Sequence, residues 1–154
     1  GLILTGAVGT GKTYLASSIA NALIEKGISV RMTNFGMILN DMMNLQIDKN
    51  MYVKNLNSNR LLIIDDFGIQ RDTSFALEHI FNIIDSRYRA NKPIIVTTNL
   101  SISHLMNTTD LKEKRIYSRL LEMATPIIFN GENHRIKTMR EKAMAANLIL
   151  MEGR

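Results

Sequence analysis

Residues 6–13, Gly6-Ala7-Val8-Gly9-Thr10-Gly11-Lys12-Thr13, match the pattern G-x-x-x-x-G-K-T. Glycines at these positions let the backbone curl until its N–H groups converge on phosphate oxygens. Lys12 then reaches the β- and γ-phosphates, and the Thr13 hydroxyl is a ligand for Mg²⁺. With Tyr14, which follows directly, these residues form the expected nucleotide-binding set. About fifty residues on, Leu61-Leu62-Ile63-Ile64 runs into Asp65-Asp66, four apolar residues and then two carboxylates, the Walker B pattern. Asp65 is expected to hold Mg²⁺, a hard cation that prefers oxygen ligands, and Asp66 to polarise the attacking water.

Thr97-Thr98-Asn99 closes another apolar run. An amide at that place can bond a γ-phosphate or orient a water, the sensor role of ATPases with an inserted central strand; capping a turn is the plainer alternative for Asn99. Arg115 and Arg119 are four apart and share one helix face. Their guanidinium forks suit a γ-phosphate in transfer; nothing places them at this chain's own site, and a neighbour's site in an oligomer is one place they could reach. From spacing alone, a solvated or salt-bridged face with Glu113 and Glu122 is the stronger reading. Arg135 is left between nucleotide sensing and solvent. His79, His104 and His134 lack metal-ligand spacing and read as surface or capping residues. Arg87, Arg89 and Lys92 form a small basic cluster, read as a solvated face with DNA contact as the alternative.

Such groups need rigid support, and the pattern supplies it. Strands are expected at 1–5, 29–34, 60–64, 93–98 and 126–129. Helices are expected at 12–26, 35–45, 74–90 and 111–122, with a last one from about Ile136. Leu15, Ile19, Ala22 and Leu23 are expected to face inward in the first helix, and Gly27 to end it. In the second the inward set is Phe35, Ile38, Leu39, Met42 and Leu45. In the third it is Leu77, Ile80, Phe81, Ile84 and Tyr88. Residues 46–59 read as a polar loop holding a short helix. Alternation of strands and helices predicts an α/β fold, a five-stranded parallel sheet sandwiched by helices. The loop then sits between a strand and a helix N-terminus, whose partial positive charge favours phosphate.

Composition agrees with one globular domain: 154 residues, 45% hydrophobic and 21% charged. The absence of cysteine excludes disulfides, thiolate metal sites and thiol nucleophiles. No apolar run approaches the ~20 residues of a membrane span, which fits a cytoplasmic protein. The net charge of +5 is concentrated in residues 78–154, with 12 Lys and Arg against 8 Asp and Glu, a modest bias compatible with nucleic-acid contact. Met42, Met43, Met139 and Met144 lie in amphipathic stretches and read as core filling, with a flexible partner-binding face as the alternative. The chain opens on Gly1 inside the first strand, which suggests a fragment of a longer protein.

The runs TGAVGTGKTYLASSIANALIEKGISVRMTNF, LLIIDDFG, RYRANKPIIVTTNLS, RIYSRLLE and IIFNGENHR together closely resemble DnaC/DnaI-type helicase loaders, AAA+ ATPases, over essentially the whole chain. The IstB-type transposition helpers look similar. The resemblance implies a P-loop NTPase of the AAA+, ASCE type with a reduced or absent lid, residues 1–154 forming its ATPase domain. It implies ATP and Mg²⁺ as cofactors. The partners it implies are a DnaB-type replicative helicase, single-stranded DNA and further copies of the chain, with the helicase-binding domain lying N-terminal to this segment. It makes Arg119 the arginine finger and Arg115 a supporting neighbour. It places the DNA surface near residues 35–54, with Lys49, Tyr52 and Lys54. Asp66 stands where many AAA+ proteins carry Glu, and the shorter arm is expected to slow hydrolysis. A small-molecule kinase fits less well, because no Arg-rich lid is visible; a nucleotide-gated binding module without turnover is compatible with the same residues.

Overall fold

Five short apolar runs become parallel strands: β1 (Leu2–Gly6), β2 (Val30–Asn34), β3 (Leu61–Asp65), β4 (Ile94–Thr98) and β5 (Thr125–Phe129). This computed structural model describes residues 1–44, 46, 48–68 and 74–152. The sheet order is β2-β3-β4-β1-β5, so β4 is inserted between β3 and the strand that carries the P-loop. Thr5 pairs with Thr98, Gly6 with Phe129 and Ile64 with Val96. The carboxyl ends of β1, β3 and β4 therefore reach one edge of the sheet together, the edge where open parallel sheets bind ligands.

The helices are α1 (Lys12–Glu25), α2 (Phe35–Met43), α3 (Lys49–Ser58), α4 (Ser74–Arg89), α5 (Ile102–Asn107), α6 (Leu111–Met123) and α7 (His134–Glu152). Side chains alternate across the strands. Ile3, Leu62, Ile64, Ile94 and Val96 pack with α2 to α6, while Leu4, Leu61, Ile63 and Ile95 pack with α1. The expected sandwich is present.

Several elements differ in detail. On α1 the buried apolar residues are Ala16 and Ala20; Leu15, Ile19 and Leu23 are half-buried, and Ala22 is exposed. Small side chains let this helix lie close to the sheet, with the larger ones flanking the contact. Gly27 does end it, at φ +73, with the Ile28 N–H returning to the Leu23 carbonyl as in a Schellman turn. Phe35, Ile38 and Met42 of α2 are buried as expected; Leu45 lies outside the described residues. The short helix expected within the polar stretch 46–59 is present and fills most of it as α3, started by Asp48, whose carboxylate accepts the N–H groups of Asn50 and Met51. Helix α5, not expected, is capped by Ser101. Of the four methionines read as core, only Met42 is buried; Met43, Met139 and Met144 are exposed. Helix α7 explains the last two, because its described side chains from Arg135 onward are all exposed. No described helix is long and apolar enough to cross a membrane.

The basic cluster needs a larger correction. Arg87 is 0% exposed. Its guanidinium donates to the carbonyls of Pro93 at 2.9 Å, Asn59 at 3.2 Å and Arg60 at 2.7 Å. Burial lowers its pKa to about 10, which keeps it cationic at neutral pH. The Lys92 ammonium donates to the carbonyls of Asn57 and Ser58, and Arg89 pairs with Asp85 at 2.7 Å. Two of the three cations thus satisfy the carbonyl-rich end of α3 and the start of β3, work that a hydrophobic-periodicity argument does not see. Arg87→Met keeps the apolar stem but strands three carbonyls. It should lower the unfolding free energy in urea by about 3 kcal/mol or more, while Arg89→Ala, where the side chain is exposed and the buried Asp85 keeps Arg119 as partner, should change it by less than about 1 kcal/mol. Equal stability of the two variants would remove this role from Arg87.

Candidate functional site

The turn from β1 into α1 builds the site. Gly11 stands at the N-cap of α1 with φ +97 and offers no side-chain cap. No acidic residue lies in the first turn. The first N–H groups of α1, together with the positive end of its dipole, thus face the cleft without internal competition. Gly9 has φ +83, and a β-carbon there would fall on the Asn133 amide. That close approach docks the start of α7 on the loop, where the His134 N–H donates to the Gly9 carbonyl at 3.0 Å. The Thr10 hydroxyl closes the turn on the Ala7 carbonyl at 2.9 Å.

A cleft of about 690 Å³ opens over this loop, lined by Val8, Gly9, Gly11, Lys12, Thr13 and Tyr14 from the P-loop side. Gly6, Ala7 and Thr10, the rest of the expected set, shape the loop from behind. Lys12 is buried. Its ammonium donates to the carbonyls of Gly6 and Ala7, each at 2.7 Å, and to Asn99 Oδ1 at 2.9 Å. Burial lowers its pKa, partly offset by Asp66 and Asp65, and Arg135 lowers it further. Asn99 also lines the cleft, so the expected sensor amide is in direct contact with the expected phosphate lysine.

The acidic pair lies opposite. Asp65 Oδ1 accepts the Thr13 hydroxyl at 2.9 Å and the Thr97 hydroxyl at 2.5 Å. Asp66 lines the cleft and is exposed, with φ +50, a left-handed conformation that Asp tolerates better than most residues. Thr13 and Asp65 present hard oxygen donors side by side. This donor set fits Mg²⁺, which is typically held by one or two carboxylates together with substrate phosphates. Among the described residues no group of three or more His, Cys, Asp or Glu could hold a metal by itself.

The arginines divide. Arg115 and Arg119 do share one face of α6, and that face lies on α4. The Arg115 guanidinium stacks 4.2 Å from the Phe81 ring. Arg119 lies 4.4 Å over Tyr88 and 3.3 Å from Asp85, with Glu122 at 4.0 Å. These stacks explain why Phe81 and Tyr88 are half-buried rather than core. Neither arginine lines this chain's cleft. Glu113, expected beside them, instead accepts the Thr108 hydroxyl at 2.6 Å. Arg135 and His134 do line the cleft; His134 is exposed, as expected of a surface residue. The signal was available: the segment after β5 emerges beside β1, and therefore beside the P-loop. In the expected DNA segment, the Tyr52 hydroxyl donates to Asp41 at 2.8 Å and the ring is half-buried, so it is no free stacking platform; Lys54 is exposed.

The chain matches the model of the IstB-like ATP binding protein family over residues 1–143. It is 30% identical over 138 residues to the replicative helicase loader DnaC of Escherichia coli strain K12, covering 86% of this chain and 55% of that protein. It is 25% identical over 138 residues to an ATP-binding protein of an insertion sequence in Mycobacterium tuberculosis, covering 87% of this chain and 55% of that protein. The chain therefore spans about half the length of these relatives. Among solved structures, the crystal structure of DnaI superposes with a TM-score of 0.75 at 27% identity, over 86% of this chain and 71% of that one.

Proposed function

The chain belongs to the family of IstB-like ATP-binding proteins, and from that premise we propose that it is the ATPase part of a loader that places a DnaB-type replicative helicase on single-stranded DNA in the cytoplasm. The observation that carries the ATPase reading is the convergence of Lys12, Asn99, Thr13 and the Asp65–Asp66 pair at the ends of β1, β3 and β4. In this reading the loop N–H groups and Lys12 hold the phosphates of ATP. Thr13 and Asp65 hold Mg²⁺, and Asp66 polarises the water for attack on the γ-phosphate. Asn99, already bonded to Lys12, orients that water or the phosphate. Arg119, which lies away from this chain's own cleft, acts on the cleft of a neighbouring copy, with Arg115 beside it. The helicase-contacting region lies outside these residues, in an N-terminal domain.

Relatives named as helicase loaders support the replication role. The insertion-sequence relative supports a second reading, a transposition helper with the same ATP chemistry and a transposase as partner. The discriminating experiment uses the full-length protein, its own cell's replicative helicase and circular single-stranded DNA. Helicase retained on DNA and unwinding a primer in an ATP-dependent manner is the expected outcome. No transfer of helicase, with stable ATP-dependent binding to a transposase of the same genome, would replace the loader reading and leave the cleft assignments standing.

A further inference from the structure

Asp65 and Asp66 share one buried hydrogen-bonding neighbour, Thr97. The ladder between β3 and β4 ends at Ile64 and Val96. Beyond it the chain turns sharply at Asp66, with φ +50. The hydroxyl and the carbonyl of Thr97 continue the pairing there. The Thr97 hydroxyl donates its single hydrogen to Asp65 Oδ1 at 2.5 Å and accepts the Asp66 N–H at 3.0 Å. The Thr97 carbonyl accepts the Phe67 N–H at 2.8 Å. Thr97 itself is 0% exposed, so water does not compete for these bonds.

We infer that Thr97 is the positioning residue for both acids, joining the strand that carries Asn99 to the metal ligand and the water-activating carboxylate. The inference rests on the hydrolytic reading of the cleft. One hydroxyl has one proton to give, so giving it to Asp65 obliges Thr97 to accept from Asp66, and the two bonds orient each other. Asp65 Oδ1, bonded by Thr97 and Thr13, is fixed in rotation, which leaves Oδ2 directed for the cation or its water. The Asp66 N–H bond holds the left-handed turn that aims its carboxylate. A side chain that orients a metal ligand in this way is expected to matter nearly as much as the ligand.

Valine at this position keeps the shape and β-branching and removes only the hydroxyl; serine keeps the hydroxyl. Thr97→Val in the full-length protein should lower kcat on the order of 10–100-fold and raise the Mg²⁺ concentration for half-maximal turnover. ADP affinity in EDTA should be unchanged, and Thr97→Ser should restore most of kcat. Wild-type kinetics in Thr97→Val, or an equal loss in Thr97→Ser, would overturn the inference. Should the unsubstituted protein itself fail to hydrolyse ATP, the hydrolytic reading falls. Thr97 is then decided by binding: a weaker Mg²⁺ dependence of ADP affinity in Thr97→Val supports the positioning role, and an unchanged dependence removes it.

Discussion

Replacing Lys12 with methionine should abolish ATP turnover, by about 10³-fold or more, and weaken nucleotide binding at the same time. Lys12 is a cation buried behind the loop, and its position against the carbonyls of Gly6 and Ala7 and the Asn99 amide directs its charge at the cleft rather than into solvent. Its lowered pKa, caused chiefly by burial, means that folding bears a cost for holding the charge there. Methionine keeps the stem and removes that cost, so the fold should not be lost with the activity. Phosphate release, titration with a fluorescent ATP analogue and the thermal midpoint, measured on one preparation, separate these effects. Turnover near the wild-type rate would show that the phosphates do not sit where the loop places them.

Asp66→Asn should behave differently: ATP should still bind, while hydrolysis falls by about 10²–10⁴-fold. Asn tolerates the left-handed backbone as well as Asp does, and the Asp66 N–H bond to Thr97 does not depend on the side chain. The substitution therefore removes a proton acceptor and one of the two carboxylate charges that support the Lys12 ammonium, and leaves the backbone in place. The contrast with Lys12→Met is the diagnostic feature, because one variant loses binding and turnover together and the other loses turnover alone. Isothermal titration with MgATP beside a phosphate-release assay reads both quantities.

The parts of this site that were legible in the sequence are those in which chemistry is local. The P-loop is one continuous run whose glycines have a stereochemical reason. Asp65 and Asp66 follow an apolar run that could only be a buried strand, and Asn99 ends another. The order β2-β3-β4-β1-β5 is what brings the three together, and strand–helix alternation predicts parallel strands without giving their order. What was not legible depends on distant partners. Arg87 looks like a surface cation in the run Arg87-Tyr88-Arg89; only the fold reveals that the carbonyls of Asn59, Arg60 and Pro93 surround it. Thr97 looks like an ordinary strand residue until β3 turns away beside it. Arg135 and His134 reach the cleft because β5 pairs with β1, a long-range neighbourhood that periodicity does not encode. Helix α3 was legible as a short helix without bounds, since a helix with few buried residues, here Leu56 and Asn57, has no strong apolar stripe to read.

The reading of Arg119 makes the active site a property of two copies, and mixing variants tests it most directly. Asp66→Asn lacks the carboxylate but carries Arg119, whereas Arg119→Ala lacks the arginine but carries Asp66. Steady-state phosphate release from MgATP, with single-stranded DNA present, should be near background for either full-length variant alone. An equal mixture should recover turnover at about a quarter of the sites, those in which an intact cleft meets an intact arginine at a head-to-tail interface. Wild-type turnover by Asp66→Asn alone, or a mixture as silent as its components, would contradict the account.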